Sequence, residues 1–207
     1  MKIRHLFFSL VFVLPLLAMS QERAIFKEEG VIYNSSFAFH NGLFGISDIP
    51  NEGNYLHNNN SIYSLHQSVG YLFNPYFSAG VGLGFEKWRK TSFIPIYADL
   101  RFNIFSKRYS PQFMINLGYS NKWYESPCPE PEMYVIHGAT EGLFMESGVG
   151  LRVWFKKNRA GTIIISYKIQ ESDLKYSDEF NFFPQITTNQ SSKVLYHHVG
   201  IRIGMMY

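Results

Sequence analysis

The chain has 207 residues, of which 46% are hydrophobic, 17% aromatic and 17% charged, with a formal net charge of +3. The charged fraction lies below the roughly 25% usual for soluble domains, and with so many apolar residues it excludes a disordered chain. A slightly negative mean hydropathy excludes a bundle of membrane helices, and the small net charge excludes a polybasic nucleic-acid surface.

The first element is for targeting. Lys2 and Arg4 precede an apolar run from Leu6 to Met19, broken only by Ser9 and Pro15. Ala18-Met19-Ser20 then places small residues before Gln21. A basic start, a short apolar core and a small-residue site make a secretory signal peptide over residues 1–20. The run is shorter than the roughly 20 residues of a spanning helix. Residues 21–207 are then one mature, exported domain. Its only cysteine is Cys128, in the loop-like Pro127-Cys128-Pro129-Glu130-Pro131, so no internal disulfide forms.

The mature chain alternates apolar and polar residues along most of its length, the period-two signal of strands. Strands are expected near Val31–Phe39, Ser61–Phe73, Phe77–Glu86 and Phe93–Phe105. Four more follow near Gln112–Asn121, Leu143–Phe155, Thr162–Gln170 and Val194–Tyr207. In the third, Phe77, Ala79, Val81, Leu83 and Phe85 share one face, and Ser78, Gly80, Gly82, Gly84 and Glu86 the other. Pro95 fits the fourth strand only near its beginning or at a bulge, since it cannot donate to a ladder. Turns of a few residues alternate with longer links, three of them of roughly 20 residues, a length that counts against a compact soluble domain, while the three-to-four link, around Lys87–Ser92, is shorter. Short turns at one end and long loops at the other are the habit of outer-membrane barrels. The fold expected is therefore all-β: an eight-stranded antiparallel up-and-down transmembrane β-barrel.

A soluble barrel of lipocalin type is the competing architecture. Its polar face would meet water, yet here that face is rich in glycine, including Gly80, Gly82, Gly84, Gly118, Gly148, Gly150, Gly200 and Gly204. Glycine suits a narrow lumen in which side chains from facing strands compete for space. Phe73, Phe77, Phe113, Phe155 and Tyr207 mark the short-turn end of the apolar face. Phe39, Tyr63, Phe85, Tyr119 and Tyr167 mark its long-loop end. Two aromatic rings around an aliphatic band match the interfacial girdles of membrane barrels.

The stretch Val69-Gly70-Tyr71-Leu72-Phe73-Asn74-Pro75-Tyr76-Phe77-Ser78-Ala79-Gly80-Val81-Gly82-Leu83-Gly84-Phe85-Glu86 resembles the hairpin of small Bacteroidetes-type outer-membrane β-barrel proteins. Phe93 to Asn103 is similar to their next strand, and the likeness extends over most of the mature chain. The terminal strand ending in Tyr207 resembles the signal read by the barrel-assembly machinery. These motifs specify architecture and leave activity open.

Eight strands leave an interior filled by side chains. Parity sends Glu86, Asp99 and Glu146 inward with Arg101, Arg152, Lys168 and Arg202, a nearly neutral set expected to form an ion-pair network. Asp99 and Arg101, at i and i+2, are its first candidates, and Asn34, Asn116, Gln170 and His198 are expected to add hydrogen bonds. A self-satisfied structural plug is the plainer reading, a narrow ion-conducting path the sharper one. His66-Gln67-Ser68 superficially resembles the His-x-Ser of a lipid A deacylase, making His66 and Ser68 the alternative catalytic candidates. Both face the lumen by parity, and no acid is obviously placed to orient His66, so no enzyme is expected. His197 and His198 point to opposite faces and cannot chelate one metal. Asp48, Glu52 and His57 have no recognised ligand spacing. No cofactor and no metal are expected. The partners expected are outer-membrane lipid and lipopolysaccharide, the assembly machinery, and an extracellular partner of the outer loops, without nucleic acid. Lys87-Trp88-Arg89-Lys90 is a candidate to meet lipopolysaccharide phosphates, with Trp88 at the interface. Trp123, Tyr124, Met133, Tyr134 and Val135 make the five-to-six loop unusually apolar.

Overall fold

The computed structural model describes residues 27–47, 55–57, 61–88, 91–125, 136–137, 141–156, 158–177 and 189–207. The signal-peptide region and Cys128 lie outside these residues. Ten strands appear in chain order: β1 Gly30–Ser47, β2 Tyr55–His57, β3 Ser61–Asn74, β4 Phe77–Trp88 and β5 Thr91–Asn103, followed by β6 Tyr109–Glu125, β7 Ile136–His137, β8 Gly142–Lys156, β9 Arg159–Ser177 and β10 Asn189–Met206. No described residue is helical. Eight strands pair antiparallel in the order β1-β3-β4-β5-β6-β8-β9-β10, and β10 returns to β1 to close a barrel. Short β2 and β7 add to β1 and β9. The closing seam runs from Asn34 opposite Met206 to Ser47 opposite Val194, and Tyr33 and Tyr207 exchange backbone hydrogen bonds beyond it. Closure leaves no long unpaired edge.

Each of the eight expected strands corresponds to one barrel strand, and the differences lie in their ends. β1 reaches Ser47 instead of Phe39. Gly42 pairs His198 and Phe44 pairs His197, so Leu43 is an extra, bulged residue. A bulge exchanges the two faces beyond it, which is why the alternation is lost to the eye after His40. β9 and β10 also run further than their clearest alternation, to Ser177 and from Asn189. The long links shrink accordingly, to residues 48–60, 126–141 and 178–188. At the other end, Asn74 Oδ1 accepts the amides of Tyr76 and Phe77 at 2.9 Å each, the local bonding that makes this turn tight. Pro95 lies five residues into β5. Its neighbourhood interrupts the ladder to β4, which passes from Leu83 opposite Ile96 to Glu86 opposite Phe93.

The apolar face is outside. Val81, Val149 and Ile165 are 63%, 61% and 60% exposed, and the exterior of every barrel strand carries similar residues. The polar face is inside and buried, the reverse of a water-soluble core. The aromatics expected at the strand ends all lie on the exterior, with Phe73, Phe155, Tyr63 and Phe85 exposed and Phe77 and Tyr167 half-buried. Glycines admit the inward side chains. A Cβ on Gly82 would lie 2.3 Å from the Tyr97 ring, and one on Gly200 would lie 2.5 Å from the His40 ring.

Candidate functional site

The lumen is built in three layers. At the loop end Ile62, Trp88, Phe93, Val194 and Tyr196 form a buried apolar cluster. Trp88 meets Tyr196 edge-on at 4.8 Å and His198 at 5.3 Å. At the turn end Ile32, Leu72, Trp154, Ala160 and Met206 form a second cluster. Charged and polar side chains fill the space between.

Three ion pairs organise that middle layer, each joining side chains at most 5% exposed. Parity puts every member inside, and strand pairing sets the contacts. Lys168, on β9, donates to both carboxylate oxygens of Glu86, on β4, at 2.6 and 2.5 Å. Its ammonium also sits 4.8 Å from the centre of the Phe144 ring. Arg202, on β10, donates through Nε to Glu146, on β8, at 3.2 Å and through Nη2 to the other carboxylate oxygen. It also donates to Ser36 Oγ at 3.3 Å. His40 Nε2 lies 3.2 Å from Glu146 and 2.9 Å from Ser166 Oγ.

The third pair is local. Arg101 forks onto Asp99 two residues before it, with Nε at 2.9 Å and Nη2 at 2.9 Å. Ser68 donates to Asp99 at 2.7 Å and accepts from Asn34 at 3.2 Å. With its amide nitrogen turned toward Asp99, Asn116 donates to Oδ1 at 3.3 Å. Charge-assisted bonds of this kind are the stronger ones, and a buried carboxylate needs them to offset its lost hydration.

Arg152 departs from the expected network. It is 1% exposed, yet among the described residues it has no carboxylate partner. Its Nη2 makes only long contacts, to the carbonyls of Pro75 at 3.4 Å and Phe105 at 3.5 Å. Its guanidinium lies over Trp154 at 5.1 Å, and its Nε has no hydrogen-bond partner. Gln170 is likewise buried, and neither of its amide atoms finds a partner.

His66 and Ser68 are buried on the lumen face at 1% and 8% exposure. The structure brings an acid to His66 that the sequence does not reveal, since Glu86 Oε1 stands 3.7 Å from its Nε2. That exceeds hydrogen-bond length, and neither ring nitrogen of His66 has a hydrogen-bond partner. Ser68 instead donates its hydroxyl hydrogen bond to Asp99. The two residues are therefore not joined as nucleophile and base.

The surface readings fare differently. Trp88 is 4% exposed and turned inward, not at the lipid interface, because β4 keeps its period through Glu86 to Trp88. Lys87 reaches Ser92 Oγ at 3.4 Å, while Arg89 and Lys90 lie outside the described residues. His197 and His198 do take opposite faces. His197 stacks on Phe44 at 4.5 Å and bonds the Tyr167 hydroxyl at 2.7 Å, whereas His198 is fully buried inside. Trp123 is the bulged residue opposite the Ser92–Phe93 step and is 70% exposed, with Tyr124 beside it at 52%. Met133, Tyr134, Val135, Asp48, Glu52 and the side chain of His57 lie outside the described residues.

No protein-family model and no curated protein matches the chain. Among solved structures it is similar to the outer membrane protein OprG from Pseudomonas aeruginosa, with 8% identity, a TM-score of 0.57, and coverage of 89% of this chain and 99% of that one. It is also similar to the outer membrane protein AlkL, solved in DMPC lipid bilayers, with 13% identity, a TM-score of 0.50, and coverage of 91% and 94%. The fold class is thus a closed eight-stranded antiparallel barrel of the architecture found in outer-membrane proteins.

Proposed function

We propose that this protein is an integral outer-membrane β-barrel with a sealed, side-chain-filled lumen. It acts as a structural or surface-interaction element through its loop end, without catalysis. The observation that carries the reading is the inversion of its polarity. An apolar exterior encloses three paired carboxylates between two apolar stoppers. Such an exterior is stable only against hydrocarbon. The route there would be the cleaved signal peptide of residues 1–20, followed by insertion through the terminal strand. Kinship with small Bacteroidetes-type barrels belongs to the same proposal.

Two observations favour a passive lumen. Trp88 and Trp154 stand in stoppers at opposite ends, so a conducting path would have to pass both. The hydroxyl of Ser68 is committed to Asp99, which leaves His66 without a nucleophile to activate. The test is fractionation of the mature chain. It should require detergent for extraction, migrate faster before boiling than after, and stay silent in planar bilayers. A mature chain that remains monomeric in buffer without detergent would overturn the reading. Altered lipid A in cells lacking the protein would restore the lipid-modifying alternative.

A further inference from the structure

The short-turn rim of the barrel carries an uneven charge. The β5–β6 turn presents Lys107 and Arg108, and the β8–β9 turn presents Lys156 and Arg159, all exposed. Lys157 adds a fifth base to the sequence of the second turn, and neither turn contains an acid. β6 and β8 are neighbours, and Trp154 N donates to Arg108 O at 2.8 Å, so the two turns form one continuous patch. Among the described residues, none of the four exposed bases forms an ion pair. At the loop end, by contrast, Lys193 pairs with Glu171 at 2.6 Å. The acids of the short-turn rim, Glu28 and Glu29, precede β1, which is separated from β9 and Arg159 by β10, and Lys27 stands beside them.

The patch adjoins the apolar belt directly. Phe155, 59% exposed, immediately precedes Lys156. Arg108 lies over the Tyr109 ring at 5.6 Å and Arg159 over the Tyr207 ring at 5.8 Å. These contacts hold both guanidinium groups at the height of the aromatic ring, where lipid headgroups begin. Behind the turns lies Arg152, buried without a carboxylate partner and touching the Phe105 carbonyl beside Ser106-Lys107-Arg108. Its charge adds to a rim that is already positive.

We propose that this patch binds the phosphodiester headgroups of anionic phospholipids in the leaflet that surrounds the short turns. The inference rests on the membrane reading above and assigns a lipid class to one sector of the barrel. Fixed bases at a bilayer surface attract anionic headgroups over a Debye length, and apolar flanks keep them at that depth. A single anionic phospholipid satisfies both features, with its tails on Phe155 and its phosphate at the bases.

The experiment uses the full mature barrel in detergent, titrated with phosphatidylglycerol or phosphatidylcholine and read by native mass spectrometry. The expected preference for phosphatidylglycerol is about fivefold for each base engaged. It should fall toward parity in K107Q/R108Q/K156Q/R159Q and survive in the loop-end variant K87Q/K193Q. If the fourfold variant does not fold, K107Q/R108Q and K156Q/R159Q, made separately, should each reduce the preference. Equal affinity for the two lipids in the unmodified chain would overturn the proposal. So would a preference that survives both turn variants, or displacement of the lipid by inorganic phosphate at matched ionic strength. A chain that enters no lipid at all would instead defeat the membrane reading, which separates the two failures.

Discussion

Replacing Glu146 by glutamine removes one charge from the lumen and almost no volume. Glu146 and Arg202 have side chains 0% and 1% exposed, so water cannot take over the lost interaction. Arg202 would keep only the neutral amide and the hydroxyl of Ser36 at 3.3 Å. The two remaining carboxylates are already engaged, Asp99 by Arg101 and Glu86 by Lys168. An orphaned buried charge of this kind costs about 3–5 kcal/mol. Removing both charges is a different perturbation. Glu146→Gln combined with Arg202→Met removes both charges of this pair and orphans neither, and its net cost should be about 1–2 kcal/mol, mainly lost hydrogen bonds. The double variant should therefore be more stable than the single one. Urea titration of the folded barrel in detergent, followed by its heat-modifiable migration, measures all the members of the cycle. A Glu146→Gln variant within about 1 kcal/mol of the parent would refute the claim that this pair is desolvated and mutually dependent. A double variant less stable than the single would refute it equally.

Other expectations follow from the same geometry. Trp88→Ala removes the largest side chain of the loop-end stopper and should cost about 3–5 kcal/mol by urea titration. It should nevertheless remain silent in planar bilayers, because the Trp154 cluster still closes the turn end, and single-channel events from Trp88→Ala would contradict the two-stopper description. Gly82→Val should destabilise by about 1–3 kcal/mol or more through overpacking, since a Cβ there lies 2.3 Å from the Tyr97 ring. A thermally neutral Gly82→Val would mean that Tyr97 moves aside freely. Ser68→Ala deprives Asp99 of one donor and should cost about 1–3 kcal/mol, with the lipid A of the producing strain unchanged by mass spectrometry.

The fold was legible because a two-residue period decides which face a side chain takes, and one face of each strand is uniformly apolar. Val81, Leu83 and Phe85 needed no tertiary information to be placed together. Legibility ended where the period breaks or where contacts cross the barrel. Leu43 is one extra residue, and with it the parity of β1 inverts. Trp88 shows the opposite effect: its basic neighbours give Lys87–Ser92 the look of a loop, although β4 runs two residues past Glu86. Parity also identified which charged residues enter the lumen but not which ones meet. Asp99 and Arg101 lie two residues apart, so their contact could be read locally. Lys168 and Glu86 are separated by 82 residues and sit on non-adjacent strands, and only the closure of the barrel brings them together. The same closure leaves Arg152 without an acid among the described residues, which no count of inward charges could reveal.

The distribution of polarity explains why such a lumen is filled so completely. A soluble protein can leave a charged side chain at its surface, where water screens it. Here the exterior belongs to apolar residues, so the charges lie in the lumen or at the rims. Inside an eight-stranded barrel they lose water on all sides and must be matched to one another. Glycine supplies the space for that matching, as the contacts of Gly82 with Tyr97 and Gly200 with His40 show. The apolar stoppers complete it from both ends, because a water file reaching the three ion pairs would weaken each of them by raising the local dielectric. Sealing and charge pairing thus support one another. The exposed bases of the short turns lie outside that seal, and in the proposed membrane setting anionic headgroups would supply the counter-charges that the lumen does not.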